Sequence, residues 1–242
     1  MEISDKYTID TPTAVEPVRS SYFHKVATVV WKDAVAELRT KERFSAMFTF
    51  AIVVVVIFNF AFELNAMDRS AIASGVLWVA IAFSGVLGLN RSFAQEKEGG
   101  CLDGLMLIPV DRSVIYVGKM LSNLLSMLVT ELIILPVFMV LLNVQVFSPM
   151  LFLTIFLGTV GFVAMGTLLS AMAVNTKTRE VLLPILLFPL TVPVLIAAVK
   201  ASAIRLAAGS RDGSSSWLQL LVVYDVIFLV LAALTFEYVL EQ

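Results

Sequence analysis

Two carboxylates stand in the middle of long apolar segments, where an ionised group is costly. Glu131 lies in LLSMLVTELIILPVFMVLL and Asp225 in WLQLLVVYDVIFLVLAAL. A carboxylate at the centre of a membrane helix costs about 3 kcal/mol, which several Leu, Ile, Phe or Val residues at about 0.3 to 0.6 kcal/mol each offset. Glu131, Asp225 and Asn123 are therefore candidate intramembrane polar sites. Either the acids line the interior of a helix bundle or a subunit interface, or they are protonated and hydrogen-bonded to a neighbouring helix through Asn123, Thr130 or Tyr224.

Patterns for catalysis and for direct cofactor binding are missing from the sequence. No G-x-x-x-x-G-K-[ST] motif occurs, because Gly118 and Lys119 lack both the earlier glycine and the following hydroxyl. This chain therefore lacks the loop that would bind the phosphates of a nucleotide. The single Cys101 and the single His24 do not form C-x-x-C-H, and a lone histidine on a helix is more often structural than a haem ligand. We predict no catalytic residue, no metal site and no directly bound cofactor.

The elements that must position these residues follow from composition. Hydrophobic residues make up 59% of the 242 residues, charged residues only 15%, and the mean hydropathy is +0.93. A bilayer core of about 30 Å needs roughly twenty apolar residues per helix. Six such segments lie at about 46–64, 73–90, 118–142, 149–174, 181–199 and 217–240. Because they are apolar all round, they predict an all-α integral membrane protein with six transmembrane helices rather than a β-barrel.

Positive charges indicate the orientation of these spans, since Lys and Arg in short loops resist translocation. The N-terminal region and every second loop hold Lys6, Arg19, Lys25, Lys32, Arg39, Lys41, Arg43, Arg91, Lys97, Arg112, Lys119, Lys177 and Arg179. The opposite side holds Arg69, Lys200, Arg205 and Arg211. Both termini are therefore expected in the cytoplasm. The net charge of −2, without a basic patch on a soluble face, argues against nucleic acid as a partner.

Three regions are expected along the chain: a disordered cytoplasmic extension at 1–21, an amphipathic elbow helix at 22–44 and a six-helix transmembrane domain at 45–242. The elbow helix is predicted by an apolar stripe at helical spacing with charges on the remainder. The stripe comprises Ala27, Val30, Trp31, Ala34 and Leu38, and the charges are Lys25, Lys32, Asp33, Glu37 and Lys41. We expect it to lie along the headgroups. The alternative is a soluble helix packed on another protein.

The longest polar break extends from Arg91 to Lys119. SFAQEKEGG is polar, CLDGLMLI mixes apolar bulk with an acid, and Pro109 ends any helix there. Leu102, Leu105 and Met106 share one face, which is suited to a groove on a partner protein. The alternative is a re-entrant or surface-bound loop.

Two later spans carry unusual residues. The fifth contains Pro184, Pro189 and Pro193, so it is expected to be a kinked or broken helix and a place where movement is easy.

The fourth span contains small residues that let helix backbones approach closely, either within the chain or at a dimer contact. These are Gly158, Gly161, Gly166 and Ser170.

Two blocks of sequence resemble the CcmB family of haem exporter proteins. The first is GVLWVAIAFSGVLGLNRSFAQEKEGGCLDGLMLIPVDRSVIYVGKML, in which 75–80, 105–109 and Lys119 are similar to the family's G-[IV]-[IL]-W-V-A opening, its L-M-L-[IL]-P element and a following lysine. The second, at 181–198, is similar to the family's L-P-L-T-[IV]-P signature through Leu190, Thr191, Val192 and Pro193, with Pro189 before them. The resemblance covers about residues 23–240.

This resemblance implies an ABC-2-like exporter permease that forms a homodimer and binds a separate ABC ATPase subunit. In related permeases the loop between the second and third spans is a coupling helix held in a cleft of the ATPase. Carried over to this sequence, the ATPase-coupling loop comprises Glu96, Glu98, Leu102, Asp103, Leu105, Met106 and Pro109.

The resemblance also implies a role in cytochrome c biogenesis in the cytoplasmic (inner) membrane, beside other haem-handling membrane proteins and a periplasmic haem chaperone. Two functions stay open: export of haem as a substrate, or coupling of the partner's ATP hydrolysis to release of the haem-loaded chaperone. The few polar residues deep in the spans favour coupling. An ABC permease that exports a lipid or another hydrophobic compound is the alternative, and a secondary transporter is disfavoured because no broken helix recurs in both halves.

Overall fold

The computed structural model describes residues 21–61, 69–98, 112–174, 176, 178–207 and 214–239. Within these ranges the chain forms seven α-helices and no strand. The helices are α1 (Tyr22–Thr40), α2 (Glu42–Ala61), α3 (Arg69–Glu98), α4 (Arg112–Leu142), α5 (Pro149–Ala173), α6 (Arg179–Leu206) and α7 (Ser214–Val239). Six of them, α2 to α7, are long and apolar enough to cross a membrane. The expectation of an all-α membrane protein with six spans is confirmed.

The joint between α1 and α2 is sharp. Lys41 has a φ of 55°, in the left-handed region that commonly ends a helix, and its N–H donates to the carbonyl of Glu37 at 2.8 Å. The next residue, Glu42, already begins α2. The chain therefore turns from the elbow helix into the first span within a single residue.

Two spans form the centre of the bundle. In α3 and α5, 72% and 78% of the residues in the most apolar window are buried, against 17% to 39% in the other four spans. Helix α5 packs against α3, α4, α6 and α7, while α3 also packs against α2 and α6. The four remaining spans therefore surround a central pair and present apolar faces outward, as a membrane requires.

Small residues of α5 are used for packing within this central pair. Gly158 lies directly under the indole ring of Trp78, and Gly166 lies under Leu89, so that a Cβ atom at either glycine would collide with α3. The hydroxyl of Ser170 donates to the carbonyl oxygen of Leu89 at 2.7 Å. The indole Nε1 of Trp78 donates to Ser202 Oγ of α6 at 3.0 Å, which ties a third helix to the pair.

The polar break is shorter than the sequence indicates. Helix α3 continues past Arg91 to Glu98, and α4 begins at Arg112 rather than at Gly118. Both additions extend the helices at the end of the bundle where α1 is attached. The break is thereby reduced to 99–111, which lie outside the described residues.

The fifth span is not broken. Helix α6 continues from Arg179 to Leu206 with Pro184, Pro189 and Pro193 inside it, so the helix is not broken, while a kink at these prolines stays a prediction. A neighbouring helix supplies a hydrogen bond in this region, because the Tyr224 hydroxyl donates to the carbonyl oxygen of Leu190 at 3.0 Å. This bond attaches α7 to the proline-containing part of α6.

Candidate functional site

A group of charged and polar side chains joins the elbow helix to the bundle. We call it the elbow cluster and define it as Asp33, Glu37, Arg43, Lys119 and Asn123. Asp33 and Glu37 come from α1, Arg43 from the first turn of α2, and Lys119 and Asn123 from α4. All but Glu37 are buried, and Glu37 is half-buried. Buried charges are costly unless they are paired, so the cluster is expected to be held in one arrangement.

The first ion pair of the cluster connects α1 to α4. Lys119 Nζ lies 2.9 Å from Asp33 Oδ2, and the side chains are only 2% and 8% exposed. Lys32 Nζ lies 3.3 Å from the other carboxylate oxygen of Asp33, at the surface. Burial by itself raises the pKa of Asp33, but the charges and hydrogen bonds of Lys119 and Lys32 outweigh it and hold that pKa below its ordinary value. Asp33 is therefore ionised in the folded protein at neutral pH.

The second ion pair connects α1 to α2 and continues into the bundle. Arg43 Nε lies 2.9 Å from Glu37 Oε2. The other nitrogens of Arg43 donate to Asn123 Oδ1 at 3.0 Å and to Ser126 Oγ. Asn123 Nδ2 then donates to Thr167 Oγ1 of α5 at 3.0 Å. The guanidinium group thus bonds to α1 and α4, and Asn123 extends the network to the central helix.

A glycine sets the close approach of α1 to α4. A Cβ atom at Gly118 would lie 2.7 Å from Cβ of Val29, which no real pair of side chains tolerates. Because Val29 precedes Asp33 by one helical turn on the same face, this contact brings the carboxylate within reach of Lys119. Gly118 and Lys119 therefore act together, one by its size and the other by its charge.

The elbow helix contacts the bundle through its charged face, which the sequence alone did not indicate. Asp33 and Glu37, which lie outside the apolar stripe, are the residues that turn toward α4 and α2. The apolar stripe is on the outside, where Trp31 and Leu38 are each 73% exposed. The two ion pairs offset the cost of burying the charged face against the bundle. The apolar face is therefore exposed and can contact the membrane interface.

The two intramembrane acids are buried inside the bundle. Glu131 Oε1 accepts a hydrogen bond from Thr159 Oγ1 at 2.7 Å, while its other oxygen has no partner among the described residues. Asp225 lies against Gly161 of α5, and neither of its oxygens has such a partner. Both acids therefore adjoin the central helix α5, near its middle.

The partners expected for these acids are wrong. Asn123 belongs to the elbow cluster, Thr130 Oγ1 donates to the carbonyl of Ser126 at 2.8 Å, and Tyr224 bonds to α6. Thr159, which the sequence did not single out, is the residue that bonds to Glu131. Both acids are buried within the single chain, which favours a position in the bundle interior over one on the surface of the bundle.

The ATPase-coupling loop is described only at its start. Glu96 and Glu98 lie in the last two turns of α3, and their side chains are outside the described residues. The other five residues of the loop lie entirely outside the described residues: Leu102, Asp103, Leu105, Met106 and Pro109. Docking of this loop on a partner stays a prediction.

Sequence reasoning missed the elbow cluster, although one signal was present. Asp33 and Glu37 are separated by one helical turn, so they share a face with the apolar Val26 and Val29. Two acids on a face that is otherwise apolar indicate buried cationic partners. Lys119, which is close to an apolar segment, could have been identified as one of these cationic partners.

Six long apolar helices, four of them around a buried central pair, with ion pairs at one end and carboxyl groups in the interior, define an integral membrane protein. A family profile described as CcmB protein matches residues 24–242. The chain belongs to the CcmB family.

Relatives that carry the name heme exporter protein B agree with this assignment. The protein of Rhodobacter capsulatus is 30% identical over 166 residues, which are 68% of this chain and 76% of the relative. That of Paracoccus denitrificans is 31% identical over 70% of this chain and 77% of its own length. That of Escherichia coli K12 is 32% identical over 71% and 80%.

Proposed function

We propose that this protein is the permease subunit of an ABC transporter complex for cytochrome c biogenesis, with ATP hydrolysed by a separate ATPase subunit. Membership of the CcmB family and the printed names of the relatives support haem as the cargo of the system. The missing phosphate-binding motif supports a separate ATPase. The charge distribution supports a cytoplasmic position of both termini, and membership of the family supports the inner membrane.

The observation that carries the proposal is the attachment of the start of α4 to the elbow helix. Helix α4 begins directly after 99–111, the loop that we expect to contact the ATPase. Lys119 lies seven residues after Arg112, about 10 Å along the helix axis, and is paired with Asp33. A displacement of the loop by the ATPase therefore moves α4 and α1 together.

The same network continues to the centre of the bundle. Arg43 connects the elbow to Asn123, and Asn123 connects to Thr167 of α5. Helix α5 contacts both intramembrane acids, through Thr159 and Gly161. Motion at the cytoplasmic end thus has a bonded route to the membrane interior, since packed and hydrogen-bonded elements move as units.

Of the two modes of action, mechanical coupling is the better supported. A haem carries two propionates and needs a polar path, but the deep polar groups of the described spans are bonded within the chain or packed against α5. We therefore propose that the subunit, as a homodimer, transmits the ATPase cycle to other haem-handling membrane proteins and so releases a haem-loaded periplasmic chaperone.

Reconstitution of the permease with its ATPase and the haem-handling partners in sealed vesicles separates the two modes. Haem inside the vesicles and free chaperone are followed after addition of ATP. Chaperone release without haem accumulation is expected. ATP-dependent accumulation of haem would refute mechanical coupling while leaving the permease assignment intact.

Charge placed on the coupling loop tests the ATPase interface. Leu105→Asp/Met106→Asp is expected to abolish co-purification of the ATPase, because an apolar contact acquires two carboxylates. Phe147→Asp is the matched control and is expected to keep co-purification of the ATPase. Phe147 is 83% exposed in the α4–α5 connection. This connection is separated from the coupling loop by one span, so it is expected on the opposite side of the membrane. Co-purification that survives the loop variant would show that the interface lies elsewhere.

A further inference from the structure

A groove of about 800 Å³ lies between the start of α2 and the end of α3. One end is polar and charged, with Lys41, Glu42 and Arg91 around it. The other end is apolar and includes Phe50 and Val53 of α2. Lys41 and Val53 are both exposed, so the groove is open at its side along its length.

The charged end of the groove is positive. Arg91 Nη1 lies 3.2 Å from Glu42 Oε2, which fastens the end of α3 to the start of α2. Two cations and one carboxylate leave one net positive charge. A guanidinium group has five N–H donors, so Arg91 can bind an additional anion while it keeps its bond to Glu42. Lys41 stands at the tip of the α1–α2 joint, in the left-handed conformation that ends α1.

The length of the groove matches one leaflet of a bilayer. Between Lys41 and Val53, α2 rises by about 18 Å. Half of a bilayer, including its headgroups, is about 20 to 22 Å thick. Trp31 and Leu38 are exposed on α1, which we expect to lie along the membrane surface, so the charged end of the groove is expected at headgroup level and the apolar end within the hydrocarbon.

We infer that this groove binds one anionic phospholipid of the leaflet on which the elbow helix lies. The phosphate group contacts Lys41 and Arg91, and an acyl chain lies along Phe50, Val53 and Leu87. A zwitterionic lipid has the same apolar part but offers no net negative charge to the cations, so headgroup charge determines the preference. The lipid bridges α2 and α3 beside the α1–α2 joint. This inference is independent of the proposed function.

Native mass spectrometry of the purified full-length protein tests the inference. The probes are phosphatidylglycerol and phosphatidylcholine with identical acyl chains, added in the same detergent, together with glycerol phosphate as the headgroup alone. The wild-type protein is expected to retain one phosphatidylglycerol in preference to phosphatidylcholine and to bind no glycerol phosphate. A basic residue near an anionic lipid contributes about fivefold in binding, so Lys41→Gln/Arg91→Gln is expected to lower retention by at least about tenfold.

Two further variants complete the test. Arg39→Gln removes an exposed charge from the last turn of α1, outside the groove, and is expected to retain the lipid. Ala46→Trp fills the groove without changing its charges and is expected to lose the lipid. Each variant must elute as a single species in size-exclusion chromatography before it is compared.

Three results would overturn the inference. The first is equal retention of phosphatidylglycerol by the wild type and by Lys41→Gln/Arg91→Gln. The second is binding of glycerol phosphate as strong as that of the lipid, since the groove would then be an anion site without an acyl part. The third is efficient crosslinking between two copies through Val53→Cys in a Cys101→Ser background with no lipid retained, since a second chain would then cover the groove.

Discussion

Replacement of Lys119 by Met removes the cation from the Asp33–Lys119 pair while it keeps a long flexible side chain. At an effective dielectric constant of about 20, opposite charges 2.9 Å apart attract by about 6 kcal/mol, of which desolvation of the two groups offsets a large part. Removal of one partner from a buried pair costs about 3 to 5 kcal/mol. We expect about 3 kcal/mol, because Lys32 remains 3.3 Å from Asp33.

The measurement is the free energy of unfolding in bicelles, obtained by titration with sodium dodecyl sulfate. A loss of about 3 kcal/mol lowers the equilibrium constant for folding by about a hundredfold. Lys32→Met is the matched control, since Lys32 is 42% exposed and contacts the same carboxylate, and it is expected to cost less than about 1 kcal/mol.

The double variant Asp33→Leu/Lys119→Met distinguishes a buried charge from lost packing. Replacement of both partners of a buried pair by apolar residues is often neutral, so the double variant is expected to lie within about 1 kcal/mol of the wild type. If Lys119→Met has the stability of the wild type, or if the double variant is as unstable as the single one, the argument that the elbow is held by a buried ion pair is refuted.

Three further predictions concern the same structure. Gly118→Ala is expected to destabilise the protein by about 1 to 3 kcal/mol in the same titration, because Val29 stands 2.7 Å from the new Cβ, and Val29→Ala in the same chain is expected to restore most of the loss. The stability contributed by Asp33 is fully present above its ordinary pKa of 3.8 and is lost as pH falls through its lower folded pKa, so unfolding measured between pH 6 and pH 3 is expected to be less acid-sensitive in Asp33→Asn. Ser202→Ala leaves the buried indole N–H of Trp78 without its acceptor and is expected to cost about 1 to 3 kcal/mol, whereas Ser202→Thr, which keeps a hydroxyl, is expected to cost less. A Ser202→Ala protein as stable as the wild type would contradict the role of that bond.

The coupling loop illustrates what a local pattern indicates and what it leaves open. The charges of RSFAQEKE suggested that the second span ends at Arg91, but α3 continues to Glu98. Polar residues end a membrane span without ending a helix, since the backbone hydrogen bonds of a helix are equally possible in water. The sequence therefore located the edge of the apolar region correctly but did not indicate where the helix ends.

The proline-containing span shows the same limit. Pro184, Pro189 and Pro193 each remove a backbone donor, so a break was a reasonable expectation. In the structure α6 remains a single helix, and Tyr224 of α7 donates to the Leu190 carbonyl within it. Whether a helix with internal prolines stays continuous depends on its packing against neighbouring helices, which its own sequence does not contain.

The sequence by itself determined the class of the protein, the number of its spans and its family, because these depend on the lengths of apolar segments and on contiguous motifs. Only the tertiary structure decided that Asp33 and Glu37 face inward and that Lys119 and Arg43 are their partners. The pairing depends on how closely α1 approaches α4, which Gly118 and Val29 set across two helices. Periodicity along one helix indicates which residues share a face, whereas the partner of that face is determined by packing between helices distant in sequence.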